Sequence, residues 1–304
     1  MLVVAALGGN ALLQRGQPLT AQVQRENVKV AARALAEIVQ AGHQLVITHG
    51  NGPQVGLLAL QNDAYTPGES YPLDVLGAQT AGMIGYLVEQ EMGNVLQHSS
   101  PIVTLLTQVL VDSNDPAFAA PTKYIGPVYT QAEAEQRSVK SGWQIAQDGD
   151  KWRRVVASPQ PLAIPNIEVI KSLVGHGTVV VCNGGGGIPT VRLADNSLQG
   201  VEAVIDKDLS SAFLAKELGA DALLLLTDVE SVYQDFGTPQ AKALRRLTVA
   251  EGDIMKVPAG SMGPKIRAAS NFAASGGFSA IGRLSDALAL LSGEAGTHVV
   301  SENS

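Results

Sequence analysis

Leu2-Val3-Val4-Ala5-Ala6-Leu7-Gly8-Gly9-Asn10 is the stretch on which the fold turns: an uninterrupted apolar run that empties into two glycines and an asparagine. A half-buried strand alternates polar and apolar residues, whereas a run apolar at every position predicts a parallel strand covered by helices on both faces. Comparable runs recur at Leu45–Thr48, Ile102–Val111, Val179–Cys182, Ala222–Thr227 and Ser279–Ile281. Between them, helical patterns occupy Ala21–Ala41, Leu73–Leu96, Asn166–Val174, Asp208–Leu218 and Pro264–Ser275, and Gly42, Gly175, Gly219 and Gly276 close four of these. The alternation predicts an α/β protein.

The rhythm breaks between Asp112 and Pro161. Several prolines fall there, Thr130-Gln131-Ala132-Glu133 has the form of a capped helix start, and Trp143–Gln147 and Lys151–Val156 flank the turn Asp148-Gly149-Asp150. Residues 112–161 are therefore expected to form a small lid inserted into one domain spanning 1–304. No internal repeat or flexible linker divides the chain.

Composition narrows the function. A chain of 304 residues with 45% hydrophobic and 16% charged residues folds, because disorder needs the opposite balance. Twenty-one basic against 28 acidic residues give a net charge of −7, which argues against a nucleic-acid partner. The single cysteine, Cys182, excludes a disulfide framework within the chain and reads as a small buried hydrophobe. No basic residue precedes Arg15, and aliphatic stretches such as Ala222–Leu226 are too short to span a bilayer, so a cytoplasmic location and no membrane partner are expected. The five histidines lack metal-binding spacing and no Gly-x-Ser-x-Gly elbow occurs, which removes the common hydrolase signatures.

Glycine, at 32 residues, exceeds the roughly 7% of average usage. It concentrates after strands, in Gly8-Gly9-Asn10, His49-Gly50-Asn51-Gly52-Pro53 and Asn183-Gly184-Gly185-Gly186-Gly187. Ligands of open α/β sheets bind at the carboxyl ends of strands, where glycine lets backbone N–H groups approach an anion. The three clusters are expected to face one crevice. Neither Gly-x-Gly-x-x-Gly nor a Gly-x-x-x-x-Gly-Lys-Ser/Thr loop is completed. Fixed positive charge for a phosphoryl group can come from Lys123 in the lid, Lys207 in Asp206-Lys207-Asp208 at a helix start, and Lys265 after Gly263-Pro264. Asp206 and Asp208 read as helix caps or as partners that orient Lys207, and His49 as a structural neighbour of the second glycine cluster.

Taken together with Asp115-Pro116-Ala117-Phe118, Thr122-Lys123-Tyr124-Ile125-Gly126-Pro127, Trp152-Arg153-Arg154 and Gly260-Ser261-Met262-Gly263-Pro264-Lys265, these segments resemble the carbamate kinases of the amino acid kinase family, in order and over nearly the whole chain. The resemblance implies an open αβα sandwich with a mainly parallel sheet and a protruding lid, a homodimer, and reversible phosphoryl transfer between ATP and carbamate with Mg²⁺, run in cells toward ATP from carbamoyl phosphate. It leaves open whether arginine, agmatine or purine breakdown supplies that carbamoyl phosphate. It implies that Gly8, Gly9, Asn10, Gly50, Asn51 and Gly52 bind the carbamoyl phosphate end. Lys123, Lys207 and Lys265 would stabilise the transferring phosphoryl and Asp208 orient the lysines, while the nucleotide lies near Gly184, Gly185, Gly186, Lys207, Asp208, Met262 and Lys265. Mg²⁺ would be held mainly by phosphates and water, with no protein ligand set. Asn183, where a small residue is expected, and Arg283 after Gly282 depart from the family pattern. A different small-acid acceptor on the same fold, or a silent sensor of ADP or carbamoyl phosphate, are the competing readings; retention of all three lysines favours the kinase.

Overall fold

The computed structural model describes residues 1–14, 16–66, 70–255, 257 and 262–301, the Asn10 side chain excepted. In chain order the first part contains β1 (Leu2–Leu7), α1 (Ala21–Gln40), β2 (Gln44–His49), α2 (Gly52–Tyr65), α3 (Leu73–Val95), β3 (Ile102–Thr104) and β4 (Gln108–Leu110). The inserted segment adds β5 (Lys123–Tyr129), α4 (Gln131–Ser141), β6 (Ile145–Asp148) and β7 (Lys151–Val156). There follow α5 (Ile167–Gly175), β8 (Val179–Val181), β9 (Ile188–Arg192), β10 (Leu198–Gly200), α6 (Lys207–Leu218), β11 (Ala222–Thr227), β12 (Val232–Gln234) and β13 (Lys242–Leu244). The chain ends with β14 (Arg246–Thr248), α7 (Val249–Ile254), α8 (Met262–Ala274), β15 (Phe278–Arg283), α9 (Ala287–Leu291) and β16 (Thr297–Val300).

Among the described residues the main sheet has eight strands in the order β14-β16-β15-β11-β1-β2-β8-β3, parallel except for the β15·β16 pair. Its strands are apolar on both faces because both are covered. Val4 and Ala6 of β1, with Leu223 and Leu225 of β11, pack into the core under α6 and α8. Val3, Ala5 and Leu7, with Ala222, Leu224 and Leu226, pack into the core under α1, α3 and α9. Successive side chains of one strand thus serve two cores, which is the reading of Leu2–Leu7 realised. The chain leaves β1 in opposite directions toward β2 and, much later, β11, so the crevice at their carboxyl ends is the topological switch point.

Three expectations are corrected. Ile102–Val111 is two strands: the chain leaves the main sheet after Thr104, and β4 pairs with β9 in a separate sheet with β10. Thr107 explains the break, since its hydroxyl donates to the Leu105 carbonyl at 3.1 Å and accepts the Asn183 N–H at 3.2 Å, drawing the chain toward the third glycine cluster. Gly175 is the last residue of α5, and the left-handed residue that closes it is Gly177. Helix α2 begins inside the Gly-Pro of the second cluster, where proline suits the first turn, although that cluster reads locally as loop.

Residues 112–161 carry the three-stranded antiparallel sheet β5-β7-β6 with α4 beside it. Thr130 and Glu133 form the reciprocal capping box, and Gly149 turns the β6–β7 hairpin. The base is drawn together by Asp115, whose carboxylate accepts from Ala117 N–H at 2.8 Å and from Gln160 N–H at 2.9 Å. A third, smaller core joins the segment to the body: Ile125 and Val156 pack with Val55, Ala59, Leu76 and Val204. Among the described residues no helix is long and apolar enough to cross a membrane.

Candidate functional site

The first two glycine clusters and Lys207 converge at the switch point. Gly8 N–H donates to the Leu226 carbonyl at 3.0 Å, which fixes the turn after β1 against β11. A Cβ on Gly50 would sit 3.1 Å from Lys207 Cδ and 3.9 Å from Gly9 N, so the turn after β2, the turn after β1 and the lysine stem share one floor. Beneath them, Thr48 and Ser211 hydroxyls lie 2.6 Å apart and Ser211 donates to the Lys207 carbonyl at 2.6 Å, tying β2 to the first turn of α6.

Above that floor, cations and anions alternate. Lys123 Nζ, reaching down from β5, donates to Asp206 Oδ2 at 2.5 Å. Lys207 Nζ donates to Asp208 Oδ1 at 2.5 Å, and Lys265 Nζ donates to Asp208 Oδ2 at 3.2 Å. Lys207, Asp208 and Lys265 are buried, which is rare for these residue types without such pairing. Burial, opposed by Asp208, brings the Lys207 ammonium down to about 8, and the like charge of Lys265 adds to the shift. For Asp208 burial acts to raise the pKa, yet Lys207 and Lys265 outweigh it and hold the carboxyl below its ordinary range. Lys207 therefore stands charged beside the Asp208 carboxylate at neutral pH.

The third cluster supports the second from behind. His49 Nδ1 lies 3.1 Å from the Gly50 carbonyl oxygen, and its other nitrogen occupies the place a Gly184 Cβ would need. Burial lowers the His49 pKa to about 4, so the ring is neutral. Asn51 donates to the Thr80 hydroxyl at 2.8 Å and fills the space beside Gly185, whose φ is +68°. Gly186 and Gly187 lie against Ile205 and Val109 in the same way. The close approach these glycines permit is thus to the protein's own side chains and backbone. Asn183 has φ 48°, a left-handed conformation that asparagine tolerates, and donates to Ser210 Oγ at 3.0 Å. Cys182 is buried and its thiol is pushed up to about 12 by that burial, so it packs rather than attacks.

Lys123, Lys207, Asp208 and Lys265 are brought together with Gly8, Gly9 and Gly50. Asn51 and Gly52 belong to the same turn, Asn51 turning its amide away toward α3. Met262 opens α8, partly buried against the core that Ile266 enters three residues after the helix passes Gly263. Gly260, Ser261 and the side chain of Asn10 lie outside the described residues. Arg283 ends β15 and is exposed.

Residues 1–281 match the amino acid kinase family. The chain is 56% identical to carbamate kinase of Rhizobium meliloti over 99% of its own length and 94% of that protein's. The structure of carbamate kinase from Giardia lamblia bound to citric acid superposes with a TM-score of 0.93 at 42% identity, covering 99% of this chain and 98% of that one. The chain belongs to the carbamate kinases of the amino acid kinase family. A second structure of the Giardia lamblia enzyme, bound to AMP-PNP, superposes with a TM-score of 0.89 at 42% identity over 99% of this chain and 98% of that one. As a carbamate kinase the chain is a phosphotransferase enzyme, and its α/β sheet is the family's. One charged group of the array stood in the sequence only as a cap or an aid to Lys207: Asp206, whose partner lies in the lid, 83 residues away.

Proposed function

We propose that this enzyme transfers a phosphoryl group reversibly between ATP and carbamate, and that in the cytoplasm it runs toward ATP. In that direction the bond between phosphorus and the carbamoyl oxygen of carbamoyl phosphate breaks, a β-phosphate oxygen of ADP forms the new bond, and carbamate leaves. The observation that carries the reading is the row Lys123, Asp206, Lys207, Asp208, Lys265 above the Gly8–Gly9 and Gly50 turns. Phosphoryl transfer asks a protein chiefly to position its reactants and to offset charge on the oxygens, which lysines and backbone N–H groups do. Gly8, Gly9, Asn10, Gly50, Asn51 and Gly52 hold the carbamoyl phosphate end. Lys207 and Lys265 flank the transferring group from the body, and Lys123 closes on it from the lid, residues 112–161, which act as a mobile unit. The nucleotide lies over the C-terminal half toward Met262; that a nucleotide binds at all is supported by the AMP-PNP complex of the Giardia relative.

The donor set fits a Mg²⁺ ion that arrives with the nucleotide. Asp206 and Asp208 commit their oxygens to lysines and to backbone N–H groups. Phosphate oxygens and water would therefore hold the ion, which would supply charge that offsets the phosphates. We also propose that two copies associate through β3, the edge of the main sheet, and the groove of about 810 Å³ between it and α3, into which Met83, Tyr86 and Leu106 face. A single-chain mass by light scattering at working concentration overturns that pairing. The activity is tested by mixing the protein with carbamoyl phosphate, ADP and Mg²⁺. ATP is expected to accumulate, and a yield no greater than that of Lys207→Ala overturns the proposal.

A further inference from the structure

Asp206 does two jobs with two oxygens. Oδ1 caps α6, accepting from Asp208 N–H at 2.9 Å and Leu209 N–H at 3.3 Å. Oδ2 faces the other way and accepts from Lys123 Nζ at 2.5 Å. The cap fixes the carboxylate's rotation, so the second oxygen is presented at a set place on the rim. The backbone fixes the other partner. Lys123 pairs across the lid sheet with Val156; the next residue, Ala157, bridges Ala203 and accepts from Val204 N–H at 2.9 Å, two residues before Asp206. Lid strand and α6 entry loop are thus laced together beside the ion pair.

The pair is not one of the surface contacts that contribute little. The Asp206 side chain is 12% exposed and that of Lys123 31%, which places it at the mouth of the site with its anion inside. Burial acts to raise the Asp206 pKa, but Lys123 reverses that and, with Lys207 and the helix N–H groups, brings it to about 2. The carboxylate therefore stays charged across the working range. A flexible four-carbon lysine stem has many rotamers to lose, so an ammonium that must meet a phosphoryl group gains from being held beforehand.

We infer that Asp206 is the positioning residue for Lys123: it holds the lid's ammonium over the transfer site, and the lysine shares its remaining N–H groups with the phosphoryl oxygens. This rests on Lys123 being the lid group that meets the phosphoryl, as proposed above. The test is a cycle of Asp206→Asn, Lys123→Met and the double variant in the full chain, assayed for ATP formation. Asparagine keeps an oxygen for the α6 cap, so the helix start survives and only the charge facing Lys123 is lost. Asp206→Asn is expected to lower kcat about tenfold with the KM for ADP unchanged, and Lys123→Met to lower it about 100-fold or more. The double variant is expected to be no slower than Lys123→Met alone. A further loss on adding Asp206→Asn to Lys123→Met, or wild-type kcat in Asp206→Asn, overturns the inference and leaves the role of Lys123 standing. A fully active Lys123→Met overturns the role of Lys123 and the inference with it. Amide exchange over residues 123–129 without ligand gives a second reading: it is expected to quicken in Asp206→Asn, and unchanged exchange counts against the hold.

Discussion

Gly56→Ala separates the lid's position from the protein's stability. A Cβ at Gly56 would lie 1.9 Å from Gly126 Cα and 2.4 Å from Gly126 N, both backbone atoms of the lid strand. No side chain is there to swing aside, and Gly126, at φ +71°, is itself held by Arg153, which donates to its carbonyl at 2.8 Å. A carbon pair needs about 3.5 Å, so the strand must rise by about 1.6 Å. Lys123 is three residues up the same strand, and a rise of that size stretches its 2.5 Å contact with Asp206 to about 4 Å. Misplacement of a reacting or charge-stabilising group by 1 Å costs about 100-fold in rate, and kcat for ATP formation is expected to fall by at least that much. Stability falls as well, though less steeply: forcing the backbone overlap costs about 1–3 kcal/mol, of which alanine inside α2 recovers up to about 1 kcal/mol over glycine. The assay is steady-state ATP formation from carbamoyl phosphate and ADP beside a thermal melt. A variant with wild-type kcat/KM refutes the argument that this backbone contact sets the lid; one that is inactive because it melts far below wild type refutes the separation.

Lys207, charged below about 8, is needed charged, so kcat/KM is expected to fall as pH rises through about 8, while a bound phosphoryl moves the kcat limb higher; a flat profile to pH 9 contradicts this. The same depressed value means that the unfolded chain, titrating at 10.5, holds the proton longer, so the contribution of Lys207 to stability rises between pH 8 and 10.5. Asp206 works in the opposite sense: its folded value of about 2 lies below the unfolded 3.8, so its stabilisation is present above pH 3.8 and is lost as pH falls toward 2, read by melts across that window. Asp208→Asn leaves two buried ammoniums without their shared anion; it is expected to destabilise by about 3–5 kcal/mol in denaturant titration and to shift the alkaline limb to lower pH.

The inner main-sheet strands β15, β11, β1, β2 and β8 and most of the helices were legible because burial on both faces writes itself into a strand as unbroken hydrophobicity, and Leu2–Leu7 and Ala222–Thr227 have the bounds read from the sequence; β14 and β16 at one edge of that sheet and the short β9, β10, β12 and β13 carry no such run. Helix α2 was hidden because its first residues are the glycine and proline of the turn after β2, and local propensity there argues against the helix that packing completes. The lysines were legible as types beside glycines. What the sequence could not carry was which neighbour each glycine admits: Gly50 lies over the Lys207 stem, whereas Gly184 to Gly187 admit His49, Asn51, Ile205 and Val109. Glycine marks a close approach without naming what approaches. Asp206 was hidden for a related reason, since its cap is a local pattern and its contact with Lys123 depends on how the inserted lid folds back.

The net charge of −7 is no obstacle to a phosphate site once the charges are located. Three lysines placed, as proposed, to meet one phosphoryl group would repel one another while the site waits for substrate, and burial already draws the Lys207 ammonium down to about 8. Interleaving Asp206 and Asp208 leaves a single net positive charge in the row, so each ammonium faces a carboxylate before a cation. The cost is that each carboxylate also repels the incoming phosphoryl. The geometry limits that cost by occupying both anions: Asp208 sits between Lys207 and Lys265, and Asp206 gives one oxygen to the N–H groups of α6. In the reaction proposed above, an incoming phosphoryl would meet ammoniums already paired with those carboxylates. A chain with more acids than bases can thus carry a phosphoryl-transfer site without a basic surface, because the acids that matter are the ones that keep the lysines charged and in place.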